Sequence, residues 1–207
     1  MSTSVDFTKF YQFEDPMATR PLRLTLPPES DWITRDDAFA LARGQAHPPA
    51  PIKLVGFMGG QAMDILWSSM VWIFCVSSRV VELLRANHVT GWSTYPVEVY
   101  GRKGEPLPGY YGFAVTGSGC RRDRSRSQIF TKQAVPGSKP FEVYKGLYFY
   151  EEDWDGSDFF IVRSFGGIVV TEKVMQLFKK SKIANVRFIP LPEVELSVDL
   201  DQYDHDV

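Results

Sequence analysis

Two cysteines in 207 residues, Cys75 and Cys120, are too few for a disulfide framework. The three histidines, His47, His88 and His205, lie far apart, and neither cysteine joins them at a zinc-ligand spacing. There is no cationic start followed by an apolar core, so a secretory signal is not expected. The most apolar stretch, Ile65 to Val76, follows Asp64 and contains Ser68 and Ser69; it is too short for a membrane span and reads as a buried strand. The glycine-containing pieces 56–60 (GFMGG) and 117–119 (GSG) lack a phosphate-loop lysine, and Gly166–Gly167 reads as a turn into a strand. A formal charge of −2, from 23 basic against 25 acidic residues, argues against a dedicated nucleic-acid binder. The absences predict a cytoplasmic protein with no catalytic set, no metal, no cofactor, and neither nucleic acid nor membrane as partner. Oligomeric state is left open.

What is present is aromatic. Fifteen Phe, nine Tyr and five Trp are a high aromatic content; some of these rings must fill the core, and the number leaves room for a few at an interface. Charge is also segregated. Residues 120–139 hold Arg121, Arg122, Arg124, Arg126, Lys132 and Lys139 against Asp123. The tail from Leu191 holds Glu193, Glu195, Asp199, Asp201, Asp204 and Asp206 without a lysine or arginine. The two regions are suited to attract one another, or one of them a partner.

Val5, Phe7, Phe10, Tyr11 and Phe13 suggest a short strand near the start, and Arg20–Leu26 another, stopped by Pro27 and Pro28. Thr34 is placed to cap a helix over Arg35–Arg43, with Asp37 at the third helical position and Gly44 closing it. Further strands are expected at Ile52–Met58, Met70–Val76, Trp92–Tyr100, Gly109–Val115 and Phe141–Tyr150. Residues 117–127 (GSGCRRDRSRS) read as a basic surface loop.

The sequence also echoes itself at a spacing of 94. Val76, Val80, Leu83 and Pro96 recur as Val170, Val174, Leu177 and Pro190. Asp64 falls on Asp158, Ser77 on Thr171, Arg79 on Lys173 and Leu84 on Phe178. Each copy runs apolar strand, hydroxyl residue, amphipathic helix, polar turn, then a strand ending at proline. Ser77 and Thr171 are helix-start residues, and Val80, Leu83, Leu84 and Val174, Leu177, Phe178 form stripes that need burial. The expected fold is α+β: a mixed or mainly antiparallel sheet with two pseudo-repeated helices packed against it. The chain divides into an N-terminal region 1–51, a duplicated strand–helix–strand domain 52–190, and an acidic tail 191–207.

Three segments, 76–98 (VSSRVVELLRANHVTGWSTYPVE), 154–160 (WDGSDFF) and 168–190 (IVVTEKVMQLFKKSKIANVRFIP), carry a family likeness. Over roughly Leu54 to Pro190 the chain resembles a family of bacterial polymorphic-toxin immunity proteins, formerly a domain of unknown function and typified by a myxobacterial immunity protein. The resemblance implies a protein that binds a cognate toxin stoichiometrically and neutralises it, without catalysis. Candidate contacts are Trp154, Asp155 and Asp158 in the acidic turn 151–158 (EEDWDGSD), and Arg121, Arg122 and Arg124 in the basic loop.

Other readings stand beside this one. Asp153 and Asp155 are hard-cation donors in type, so a small metal-dependent hydrolase built on the acidic turn is an alternative, although the spacing is not that of a calcium loop. The turn is equally readable as a plain acidic connection in which Trp154 packs and Asp158 caps local amides. The basic loop suits phosphates, but no aromatic pair or helix beside it supplies base readout. A non-catalytic interaction scaffold is the third class.

Overall fold

The computed structural model describes residues 5–30, 33–70, 72–163 and 167–199. The elements in the first half are Phe10–Glu14 (β1), Arg23–Thr25 (β2), Arg35–Ala42 (α1), Ile52–Met58 (β3), Ile65–Trp67 (β4), Phe74–Ser77 (β5) and Ser78–Ala86 (α2). Trp92–Tyr95 (β6), Val97–Tyr100 (β7), Tyr110–Val115 (β8), Gly119–Cys120 (β9), Gln128–Lys132 (β10) and Phe141–Lys145 (β11) follow. Phe159–Val162 (β12), Gly167–Thr171 (β13), Glu172–Lys180 (α3), Arg187–Pro190 (β14) and Glu195–Ser197 (β15) complete the order. The fold is α+β, with several mostly antiparallel sheets among the described residues where the sequence suggests one.

Two compact units share the chain. The first comprises Met1–Glu14, Gly117–Gln176 and Arg187–Val207, and the second Asp15–Thr116 and Leu177–Val186. Each has its own apolar core. That of the second unit gathers Leu22, Leu24, Leu41, Leu54, Leu66, Cys75, Tyr95 and Ala114. That of the first gathers Phe7, Phe10, Cys120, Phe149, Phe160, Val169 and Leu191.

In the second unit, α1 forms where its cap predicts. The Thr34 hydroxyl accepts from the Asp37 amide at 3.2 Å, and the Thr34 amide donates back to the Asp37 carboxylate at 2.9 Å, which satisfies two amides at the helix start. Ile65 to Val76 is not one strand but the hairpin β4–β5. Its turn is built by Ser68, whose hydroxyl donates to the Ile73 carbonyl at 2.6 Å and accepts from the Met70 amide at 3.1 Å, with Trp72 at φ +108°. Trp92 to Tyr100 also divides. Pro96 has no amide to donate, and β6 pairs with β8 in one sheet while β7 runs parallel to β3 in another.

In the first unit, β11 stops at Lys145 instead of running to Tyr150, because Gly146 turns the chain at φ +91°. Residues 117–127 are not a surface loop. Gly119–Cys120 pairs in parallel with β12, Cys120 is fully buried, and Arg122 and Asp123 are buried as well. Asp123 is held there by accepting from the Ser125 amide at 3.0 Å and the Ser125 hydroxyl at 2.6 Å.

The principal sheets of the two units have one strand order, β4-β5-β8-β6 and β12-β13-β1-β14, the latter extended by β9. In the hairpins, Ile65↔Val76, Leu66↔Cys75 and Trp67↔Phe74 stand against Phe159↔Val170, Phe160↔Val169 and Ile161↔Ile168. In the third strand Gly112 faces both Cys75 and Tyr95, and Gln12 faces both Val169 and Ile189. These residues lie at an offset of 94 throughout, except in the third strand, where Tyr110–Phe113 takes the places of Phe10–Phe13. The strand that completes the first unit's sheet therefore comes from the start of the chain.

The helix ends coincide too. Val89 and Ile183 amides donate to the Leu84 and Phe178 carbonyls at 3.0 and 2.9 Å. His88 and Lys182 take φ of +50° and +54°, the left-handed conformation that closes a helix. Val80, Val81 and Leu84 on α2, and Val174, Met175 and Phe178 on α3, are buried. Leu83 and Leu177 are only half-buried, so the stripe is shifted by one residue's direction from the expected i, i+3, i+4 set.

Candidate functional site

The carboxylates that open the two hairpins act as braces. In the second unit the Asp64 carbonyl accepts from the Ser77 amide at 2.8 Å, and its carboxylate accepts from the Ser77 hydroxyl at 2.8 Å and from Arg79 at 2.6 Å. In the first unit the Asp158 carbonyl accepts from the Thr171 amide at 3.1 Å, and its carboxylate from the Thr171 hydroxyl at 2.8 Å and from Lys173 at 2.9 Å. Each brace ties the base of a hairpin to the first turn of a helix. Ser77 also accepts from the Val80 amide at 3.4 Å, so one hydroxyl both caps α2 and binds the brace.

The acidic turn and the basic segment meet one another inside the first unit. Arg121 grips Asp153 through Nε at 2.8 Å and Nη2 at 2.9 Å, reaches Glu152 at 3.3 Å and lies 4.9 Å over the Tyr150 ring. This side-chain hydrogen bonding, with a further bond from the Arg121 amide, holds the Asp153 carboxyl below the usual carboxylate range. Arg126 contacts Glu151 at 3.3 Å and Asp123 at 3.5 Å. Arg122 is buried with its guanidinium 4.6 Å over the Tyr144 ring, and Arg124 is half-buried in a short 3₁₀ turn.

Trp154 is half-buried and packs edge-on against Phe10 at 5.0 Å, its indole N–H donating to the Ser157 carbonyl at 3.0 Å. Asp155 accepts from the Ser157 amide at 2.9 Å and the Ser118 amide at 3.2 Å. Burial pushes its carboxyl up, but bonds from Ser157 and Ser118 outweigh burial and leave it lowered.

The acids of 151–158 are thus directed at a guanidinium, an ammonium and backbone amides. Among the described residues, no three His, Cys, Asp or Glu side chains are placed to share a metal ion. Burial raises both thiols, that of Cys120 to about 11, which marks them as unreactive. No described helix is long and apolar enough to cross a membrane.

Compared with known families, residues 21–192 match the immunity protein family Imm11, which is most of the chain. The chain belongs to that family. No curated protein matches it. The Imm11 match begins at Pro21, well before the Leu54 at which the visible resemblance starts, and takes in the basic segment.

Of the six residues singled out in the sequence, the structure brings the acidic turn and the basic segment into one region, yet buries Arg122 and Asp158 and half-buries Trp154. Arg121 and Asp155 stay exposed, Arg121 beside the exposed Tyr150 and Glu152. The tail acids Asp201, Asp204 and Asp206, together with His205 and Gly166, lie outside the described residues. Sequence reading also missed β10, an exposed strand whose only local signal is the pair Ile129–Phe130. The tail–loop attraction appears in one described contact, Lys132 with Glu195.

Proposed function

We propose that this Imm11 member neutralises a cognate bacterial toxin by direct stoichiometric binding in the cytoplasm, without catalysis and with neither nucleic acid nor membrane as partner. The family match over residues 21–192 carries this reading. The geometry is consistent with it, because the side chains best suited to chemistry are engaged in holding the fold. On the first unit, Arg121 with Tyr150 and Glu152 offers the toxin a charged and aromatic contact. Asp155, exposed on the same turn, is a further contact, and Trp154, Asp158, Arg122 and Arg124 serve that surface by fixing the turn and the segment beneath it.

The test is co-expression with the product of the adjacent gene. Growth should be rescued and a 1:1 complex should co-purify. Failure to protect against any neighbouring toxin would overturn the reading.

Residues 64–96 and 158–190 are, in the same proposal, copies of one strand–helix–strand segment, with the N-terminal strand completing the sheet of the later copy. Coincident registers, helix ends and carboxylate braces support this. The sheet β10-β11-β15 stands where the second unit has β2-β3-β7, but β15 is antiparallel to β11 whereas β7 is parallel to β3, and specificity for one toxin is expected in parts that differ in this way.

A further inference from the structure

Among the described residues, β10 is an open edge of the sheet β10-β11-β15. None of its five residues is buried: Gln128, Ile129, Thr131 and Lys132 are exposed and Phe130 is half-buried. Ile129 is 56% exposed, and Val135 in the connecting turn is 62% exposed. Edge strands of stable monomers are ordinarily blunted by proline, a bulge, a central charge or a covering segment. β10 contains no proline or glycine, and its register against β11 runs unbroken from Gln128↔Lys145 to Lys132↔Phe141. Its one charge, Lys132, sits at the end and is engaged by Glu195. An antiparallel edge of this kind directs alternate amides and carbonyls away from its neighbour, where a further strand pairs with them.

We propose that β10 is a docking strand, and that an extended segment of a protein partner, apolar at its centre and acidic at its ends, adds to this edge. The inference rests on the immunity reading above, with the toxin as that partner. Ile129 and Phe130 supply the apolar middle. Lys145, opposite Gln128 at one end, and Lys139, beyond the other, supply positive charge at both ends. Lys139 and Lys145 are exposed and have no ion pair among the described residues. A second copy of this chain is the other obvious occupant. Pairing two β10 strands would set two hairpins side by side, each with Lys139 and Lys145 against Glu142 and with Lys132 held by Glu195, and the excess of like charge opposes association.

The test uses the intact protein and a synthetic heptapeptide with a Val-Thr-Val centre and acidic ends, beside the same peptide with lysine ends. The acidic peptide should slow hydrogen exchange within 128–132. Its affinity should fall about tenfold in the Lys139→Glu/Lys145→Glu double variant, and should weaken as salt rises. Ile129→Lys, an exposed substitution, should abolish the protection without unfolding the chain. Absence of protection within 128–132, or equal binding of the lysine peptide, would overturn the proposal. So would a dimer of the free chain that Ile129→Lys dissociates, since a second copy would then be the occupant. If an adjacent-gene toxin binds wild type and Ile129→Lys equally, the docking strand is wrong and immunity stands. If no such toxin binds while the acidic peptide still protects β10, the docking strand stands and the immunity reading falls.

Discussion

The two carboxylate braces make a matched pair whose energetics are expected to match. Asp158 is buried and receives the Thr171 hydroxyl and Lys173. The Lys173 side chain is 47% exposed, so its ion pair is screened and contributes at most about 1 kcal/mol. The hydroxyl bond to a buried carboxylate contributes about 1.5–3 kcal/mol, and its loss leaves Thr171 a donor without that acceptor. Asp158→Ala is therefore expected to cost about 2–4 kcal/mol, whereas Asp158→Asn, which keeps an acceptor for Thr171, should cost about 1 kcal/mol. Asp64 makes the same bonds with Ser77 and with Arg79, whose side chain is 54% exposed, but is itself half-buried, so Asp64→Ala and Asp64→Asn should fall at or below these values, within about 1 kcal/mol of them. Urea denaturation gives the totals. Hydrogen exchange at the first turns of α2 and α3 tells which helix each change loosens. A silent alanine variant in one unit beside a costly one in the other would refute the equivalence of the braces. An asparagine variant as damaging as alanine would refute the division between hydroxyl bond and ion pair.

Two further outcomes follow from the same structure. The lowered Asp153 carboxyl contributes stability that is fully present above the ordinary carboxylate pKa near 4 and is lost as pH falls through its depressed folded value. With Arg121 57% exposed the contribution is screened by solvent, so the stability gap between wild type and Asp153→Asn should be small at neutral pH and close entirely in strong acid; a gap that does not change with pH would contradict the assignment. Cys75 and Cys120, both buried and with raised thiols, should resist a thiol reagent in the native protein and react together in denaturant, and one fast thiol under native conditions would show that its burial is wrong.

The parts of the fold that were legible in the sequence are those fixed by near neighbours. Thr34 and Asp37 lie three residues apart and suffice to start α1, and Pro96 ends a strand because it lacks a donor. Ser68 was not recognised as a turn residue because its effect depends on three bonds made by one side chain, within an otherwise apolar run. Residues 117–127 read as a solvated loop because local polarity says nothing of β12, a partner forty residues away in the chain. Arg122 reads as surface charge until the Tyr144 ring is beside it. Opposite charges in two separate segments do not by themselves show that the fold brings Arg121 to Asp153. β10 escaped for a different reason. With neither face buried it has no alternation to display, and alternation is the signal by which strands are found.

The aromatic strand at the start of the chain links these observations. Phe10–Phe13 and Tyr110–Phe113 occupy one place in two sheets, so the first unit's sheet depends on a strand that enters from the far end of the sequence. Beyond the four strands that run in one order in the two sheets, the two segments differ after the prolines. After Pro96 the chain continues as β7 in parallel with β3, while after Pro190 a short turn leads to β15, antiparallel to β11. The shared portion is set by backbone registers, helix closures and carboxylate braces that allow little change at Asp64, Ser77, Asp158 or Thr171. Hairpin β10–β11 carries no such burden: it buries little beyond Val143 and exposes its outer edge. A change of partner is therefore cheapest there, where side chains on an open strand are replaced without disturbing either core.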